Sequence, residues 1–184
     1  MKNTLSIRDI TFIGMGAAIL AVFSQFSIPI PFSTVPITLQ IPAVILISLI
    51  YNQKQSFLSV IIFILLGAVG LPVFANLHGG LNVVLGPTGG YIIGFPLMAL
   101  IIGYSKKYNN LLLAFILSYV AIGVDYLIGV LQLSFVANLS IPAALAAGLY
   151  PFIIKDIIVV FLTVLIGVRI KKRLFIGEAS SVNS

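Results

Sequence analysis

Long runs without a charged residue constrain this chain more than any other feature of its sequence. No Asp, Glu, Lys or Arg lies between Asp9 and Lys54, and none lies between Lys54 and Lys106. Charged residues make up 8% of the chain, whereas they make up about a quarter of a typical soluble domain. Apolar segments of this length are typical of membrane-spanning helices, so the sequence predicts an integral membrane protein.

Prolines, glycines and polar connections divide the apolar runs into six segments. Several segments are shorter than the roughly 20 residues of a typical spanning helix, which suits helices that pack against protein rather than lipid. The sequence therefore predicts an all-α membrane protein with six transmembrane helices in a single domain, residues 1–173. A short polar tail, residues 174–184, is expected to fray. The predicted helices cover residues 9–27, 38–52, 56–71, 90–105, 110–132 and 143–170.

The distribution of basic residues predicts how these helices are oriented. Nine of the ten Lys and Arg residues lie at the termini or in the connections 52–56 and 105–110. The connections 28–37, 72–89 and 133–142 contain neither Lys nor Arg. Because basic loops remain on the cytoplasmic side, we expect a multi-pass protein of the cytoplasmic (inner) membrane with both termini inside. The net charge of +6 then reflects topology and lipid contact rather than nucleic-acid binding.

One predicted outward connection differs from the rest of the chain. Residues 70–95, GLPVFANLHGGLNVVLGPTGGYIIGF, contain seven glycines together with polar side chains. The segment has no lysine and therefore no GxxxxGK[ST] phosphate loop, so a partner would have to hydrolyse ATP. With His78 as the single histidine and no cysteine, we expect no metal, no cofactor and no enzymatic nucleophile. The glycines instead predict outward loops that cap a substrate pocket.

Three charged residues lie inside predicted helices, away from the helix ends. Lys155 and Asp156 are neighbours within the last one. Such groups are costly in a bilayer and persist where they face the protein interior and find a partner, so both are candidate binding residues. A purely structural ion pair is the alternative. Asp125, nearer the outer end of its predicted helix, is interpreted as a structural or interfacial carboxylate.

The outward connection at residues 28–40, IPIPFSTVPITLQ, contains three prolines. Proline fixes φ and removes a hydrogen-bond donor, so this segment is predicted to be extended and stiff. Gln40 follows where the next helix begins. Its amide either faces a cavity or is simply the polar start of a helix.

The first predicted helix carries small residues at a spacing of four. Ala17 and Ala21 form one such pair, and Gly14 and Ala18 form another. Small residues at this spacing let a second helix approach closely. The pairs indicate either ordinary packing within the monomer or a docking face for a separate membrane protein.

Four motifs together resemble one known family, and they occur in its order over most of the chain. The resemblance is to BioY, the biotin-specific S component of energy-coupling factor (ECF) transporters. It implies biotin uptake by a non-enzymatic substrate-binding subunit, powered by a transmembrane T component and two cytoplasmic ATPase subunits. The motifs are VPITLQ (35–40), LLGAVGLPVFA (65–75), GPTGGYIIGF (86–95) and YPFIIKD (150–156).

The resemblance also implies a binding site under the outward loops. Asp156 and Asn76 are expected to accept hydrogen bonds from the ureido N–H groups of biotin, while a side-chain amide donates to the ureido carbonyl. Ala17 and Ala21 are the implied docking surface for the T component. The implied substrate-binding residues are Gln40, Asn76, Gly79, Tyr91 and Asp156, with Lys155 added as the nearby cation.

At one position the chain departs from the family's pattern. Family members usually carry a lysine three residues after the aspartate, where this chain has Val159. Lys155 then either neutralises the biotin carboxylate from another angle or only pairs with Asp156. Two alternative functions stay open, an S component for another vitamin and a membrane-embedded enzyme that modifies lipids.

Overall fold

The computed structural model describes residues 5–31, 33–108 and 110–181, with side chains described as far as Arg173. In this part of the chain, eight α-helices and two short 3-10 helices pack around a buried core, and two short strands pair with each other. The strands are β1 (Ser27–Ile30) and β2 (Ser33–Thr38). The helices are α1 (Ile7–Ser24), α2 (Gln40–Ile50), α3 (Gln53–Ala68), α4 (Leu81–Val84), α5 (Gly89–Tyr104), α6 (Leu111–Val136), α7 (Ile141–Gly148) and α8 (Tyr150–Ser181).

Four of these helices, α1, α5, α6 and α8, are long and apolar enough to cross a membrane, so this is a multi-pass membrane protein. The two other predicted spans are the shorter apolar helices α2 and α3. At 1.5 Å per residue, α2 measures about 16 Å, roughly half the thickness of a bilayer core. Eight of the residues of α2 are buried, from Gln40 to Leu49, as expected of a helix packed against protein. Six spanning helices with both termini inside stay a prediction.

Polar side chains close the first turns of α1 and α3 and link the two helices. Ser6 Oγ accepts from the Asp9 backbone amide at 3.1 Å, and an Asp9 carboxylate oxygen accepts from the Ser6 amide at 3.0 Å. Asn52 and Gln55 form the same reciprocal pair at the start of α3. Each pair satisfies amides that the first helical turn leaves without partners. Gln55 Nε2 also donates to Asp9 Oδ1 at 2.8 Å, so both helices begin at the same end of the molecule.

The last predicted helix, residues 143–170, is wrong as a single element. The chain forms α7, breaks at Leu149 and starts again as α8. The break follows from Pro151, which has no N–H to donate to the carbonyl four residues earlier and whose ring crowds that carbonyl. At its other end α8 continues to Ser181, through residues that were expected to fray. Residues 182–184 of the predicted tail lie outside the described residues.

Most of the predicted extended segment at residues 28–40 forms a β-hairpin, which adds two short strands to an otherwise helical fold. Antiparallel pairing joins Ser27 to Thr38 and Ile28 to Ile37, with an irregularity between Ile28 and Ile30. Pro29 lies at that irregularity, where a missing N–H interrupts no regular ladder. The extended conformation was predictable from the prolines, whereas the pairing was not.

A cluster of aromatic residues anchors the connection between α3 and α5, residues 69–88, called the glycine-rich connection below. Phe74 is 1% exposed and packs edge-to-face on Phe63, with ring centroids 5.4 Å apart. A side chain at Gly67 would overlap the Phe74 ring, so glycine is required for this approach. Phe74 thereby fixes the connection against α3, next to the cavity described below.

Candidate functional site

A cavity of about 340 Å³ lies between the hairpin, the glycine-rich connection and helices α5, α6 and α8. Its volume is at the lower end of the range, roughly 300–1,000 Å³, that is usual for small-molecule sites. Its lining is mostly apolar with a few polar groups. Five of the six predicted substrate-binding residues line it, namely Gln40, Asn76, Tyr91, Lys155 and Asp156.

Gly79, the sixth predicted residue, is not among the residues that line the cavity. It packs instead within the glycine-rich connection, where an added Cβ would overlap the carbonyl oxygen of Leu71. Its lack of a side chain lets the connection fold back on itself. Gly79 therefore shapes the connection and does not itself line the cavity.

The most polar part of the cavity is formed around Asp156 on α8. Lys155 Nζ lies 2.5 Å from Asp156 Oδ1, and the Tyr126 hydroxyl donates to Asp156 Oδ2. The Lys155 side chain is 25% exposed, whereas that of Asp156 is 3% exposed. The Lys155 ammonium also lies 5.7 Å from the centroid of the Phe152 ring. The ion pair that the sequence left open is therefore present, and both of its members face the cavity.

The break between α7 and α8 supplies two carbonyl groups that organise the site. Tyr91 Oη donates to the Gly148 carbonyl at 2.8 Å, and Ser33 Oγ donates to the Ala147 carbonyl at 2.7 Å. An uninterrupted helix would use these carbonyls for its own amides. Because Pro151 prevents that, one carbonyl orients Tyr91 and the other ties the hairpin to α7.

Asn76 projects from the glycine-rich connection in a left-handed conformation, with φ 58° and ψ 35°. Leu77 has a φ of 58° as well, which is unusual for a residue other than glycine. Gln25, at the end of α1, holds this turn. Its Oε1 accepts from the Leu77 amide at 3.0 Å, and its Nε2 donates to the Phe74 carbonyl at 3.2 Å. Gln25 thus positions Asn76 beside the cavity.

The sequence left open whether Gln40 is the polar start of a helix or faces a cavity. In the structure both hold, because Gln40 begins α2 and also lines the cavity. Its Nε2 donates to Ser24 Oγ at 3.0 Å, and its Oε1 accepts from Thr38 Oγ1 at 3.3 Å. The amide is therefore already held on both sides by the end of α1 and the end of the hairpin. This arrangement ties α1, the hairpin and α2 together at the cavity wall.

Asp125 lines the cavity, whereas the sequence indicated a structural or interfacial carboxylate. It is 0% exposed and lies near the middle of α6, so it is not an interfacial carboxylate. On α5, a Cβ at Gly94 would overlap the Asp125 carboxylate, so glycine leaves it room there. The sequence did carry a signal for this position. The uncharged residues on both sides of Asp125 place it deep within an apolar helix. Other lining residues that the sequence did not single out are Thr34, Asn82, Thr88, Phe95, Tyr126 and Phe152.

The predicted docking pair on α1 does not form a common exposed face. Ala17 is 3% exposed and belongs to the buried core, and Ala21 packs partly buried against that core. Ala17 therefore serves the packing of the monomer, the alternative that the sequence left open. Gly14 and Ala18, the other small pair, lie on the exposed side of α1. Space is open beside Gly14, where an added Cβ would meet nothing within 4 Å among the described residues beyond its own stretch of helix.

Comparison with known proteins connects this architecture to one family. A sequence model of the BioY family matches residues 1–175. The chain is 39% identical over 166 residues to "Biotin transporter BioY" of Thermotoga maritima, covering 90% of this chain and 96% of that protein. It is 35% identical over 177 residues to "Biotin transporter BioY2" of Lactococcus lactis, covering 95% of each.

The solved structure of "the S-component for biotin from an ECF-type ABC transporter" has the same fold. It matches with a TM-score of 0.83 at 29% identity, over 94% of this chain and 95% of that chain. These findings confirm the family that the four sequence motifs predicted. The chain belongs to the BioY family.

Proposed function

We propose that this protein is the biotin-binding S subunit of an ECF transporter and takes up biotin across the cytoplasmic membrane. The observation that carries the proposal is the cavity, which Asp156, Lys155 and Asn76 all line, in a chain of the BioY family. The protein acts as a substrate-binding transport subunit rather than an enzyme, as the names of its relatives suggest.

The polar groups of the cavity are complementary to the ring end of biotin. A ureido group has two N–H donors and one carbonyl acceptor, and it therefore requires both acceptors and a donor. Asp156 offers a carboxylate, and the Asn76 amide offers an acceptor and a donor. Phe152, Phe95 and the Tyr91 ring supply apolar surface for the fused ring and its sulfur.

Lys155 is the proposed partner of the biotin carboxylate. It is the one lysine or arginine among the described residues that line the cavity. Val159, at the position where the family usually has a lysine, cannot supply a charge. Because the Lys155 side chain is longer and more exposed than that of Asp156, its ammonium can contact the ligand while remaining close to its partner. This assignment accounts for the departure from the family's pattern.

The proposed partners are a transmembrane T component and two cytoplasmic ATPase subunits. Transport against a gradient needs an energy source, and this sequence contains no phosphate loop. For the T component, the exposed small pair Gly14 and Ala18 replaces Ala17 as the proposed contact on α1. Small residues at this spacing let a partner helix approach the backbone closely. The proposed orientation has six spans and places both termini, near the basic loops, in the cytoplasm.

Ligand binding to the purified protein tests the proposed function directly. Isothermal titration in detergent is expected to show biotin binding that desthiobiotin competes for, because desthiobiotin keeps the ureido ring. Lipoate, riboflavin and thiamine lack that ring and are expected to compete poorly. Preference for another vitamin would favour the second candidate, an S component of different specificity. Conversion of a lipid or of biotin by the purified protein would contradict a purely transporting role.

A further inference from the structure

Asp125 has an unusual position for a carboxyl group. It is 0% exposed, it lines the cavity, and neither of its side-chain oxygens has a hydrogen-bond partner among the described residues. Burying such a group without a partner is costly, and buried polar groups in folded proteins are almost always hydrogen-bonded. A ligand in the cavity can supply the missing partner.

The two carboxyl groups of the cavity differ in how far the protein already satisfies them. Asp156 accepts from the Tyr126 hydroxyl on Oδ2, and its Oδ1 has the Lys155 ammonium as an ion-pair partner but no hydrogen bond among the described residues. Asp125 precedes Tyr126 in α6 and has no hydrogen-bond partner on either oxygen among the described residues. Gly94 leaves space for it on α5. Of the two carboxyl groups, Asp125 therefore has the greater capacity to accept new hydrogen bonds.

The open acceptor fits a ligand that brings an N–H donor into an apolar cavity. A cyclic urea has two N–H groups that point to opposite sides of its carbonyl, so two acceptors on neighbouring helices can each take one. We propose that Asp125 is a further ligand-binding residue, whose carboxyl group accepts a hydrogen bond from one ring N–H of the bound urea. This assignment rests on the proposed function. Asp156 then accepts from the other ring N–H, and the Asn76 amide donates to the ring carbonyl.

The assignment is tested by pairing a protein variant with a matching change in the ligand. Titrations compare the unmodified protein and Asp125→Ala with biotin, biotin methyl ester, and the two biotin derivatives methylated on one or the other ring nitrogen. We expect Asp125→Ala to weaken the binding of biotin and of its methyl ester by about tenfold or more, which is the effect of losing a hydrogen bond to a carboxylate. For the derivative whose methyl group replaces the N–H that Asp125 accepts, the same variant is expected to lower the affinity by about twofold or less.

Two further variants keep the test independent of folding defects. Ser118→Ala is the matched control, because Ser118 lies on α6, is 0% exposed and has no partner for its hydroxyl among the described residues, yet does not line the cavity. It is expected to change no affinity by more than about twofold. Asp125→Asn preserves the shape of the side chain, and we expect it to give a smaller loss with the same dependence on the ligand.

The outcomes separate this assignment from the function on which it rests. Equal losses for biotin and both ring-methylated derivatives would show a structural effect and overturn the assignment alone. The same conclusion would follow if Ser118→Ala caused a loss as large as Asp125→Ala, or if Asp125→Ala caused none. Failure of the unmodified protein to bind biotin would overturn both the assignment and the proposed function.

Discussion

Asp156 is held from two sides before any ligand enters the cavity. Side chains of adjacent residues in a helix point about 100° apart, yet the long Lys155 side chain brings its ammonium back to its neighbour at 2.5 Å. Tyr126 reaches the other oxygen from α6. Two contacts of this kind hold the carboxylate in one orientation, so that a ligand meets a prearranged acceptor rather than a mobile one.

At the residue scale, we predict that Asp156→Asn weakens biotin binding by about tenfold or more. The substitution removes the charge that strengthens a hydrogen bond from a ureido N–H, and it leaves Lys155 without its counter-ion. His78→Ala serves as the control. His78 also lines the cavity, but no contact with biotin is proposed for it. Titration of both purified variants with biotin, or radiolabelled uptake, makes the comparison. Small and equal effects of the two substitutions would contradict the proposed role of Asp156.

At the scale of elements, the connections are positioned by side chains from helix ends. Gln25 at the end of α1 bonds to the backbone of the glycine-rich connection through both its donor and its acceptor. Ser33 binds the hairpin to a carbonyl that the α7–α8 break leaves free. Backbone groups without helical or strand partners are satisfied in this way, and the loops gain defined positions around the cavity.

We predict that Gln25→Ala weakens biotin binding by about three- to tenfold, although Gln25 is not among the residues that line the cavity. Without its two-sided contacts, the left-handed turn at Asn76 and Leu77 loses the group that holds it, and Asn76 is positioned less well. The matched control is Gln53→Ala, which removes a hydrogen bond of 2.7 Å to the Leu100 carbonyl away from the cavity. A loss of affinity as large in Gln53→Ala as in Gln25→Ala would indicate general destabilisation instead.

At the scale of the whole molecule, binding and energised transport are expected to use different surfaces. The cavity is enclosed by the hairpin, the glycine-rich connection, α5, α6 and α8. The exposed small pair, Gly14 and Ala18, lies on α1 and faces away from the core. A substitution on that surface can therefore block docking of a T component without altering the cavity.

We predict that Ala18→Trp leaves biotin binding within about twofold of the unmodified protein but abolishes most uptake in cells that contain a T component and ATPases. The bulky ring prevents close approach of a partner helix. Val120→Trp, at a position 48% exposed on α6, is the control and is expected to preserve both activities. Ala17→Trp is expected to disrupt the core and lower both. Normal uptake by the Ala18→Trp protein would remove α1 from the proposed docking surface.

The candidate site could be predicted where local sequence carried a strong signal. Asp156 and Lys155 interrupt an apolar helix, and Asn76 lies among glycines, so each stood out before the fold was known. Gln25 and Asp125 were not assigned to the site. Gln25 acts through bonds to residues about 50 positions away, and the direction of the Asp125 side chain depends on the packing of α6 against α5. Neither relation is local in sequence.

The sequence by itself determined the class of protein, the order of its apolar helices and its family. Hydrophobicity, charge and short motifs are properties of contiguous residues, and they need no knowledge of which helices touch. The tertiary structure decided which sides of those helices face each other. In a soluble helix one polar side marks the surface, whereas here the exposed and buried sides are both apolar, so periodicity does not distinguish them. For this reason the burial of Ala17, the opening beside Gly14 and the position of Asp125 in the cavity wall followed from packing alone.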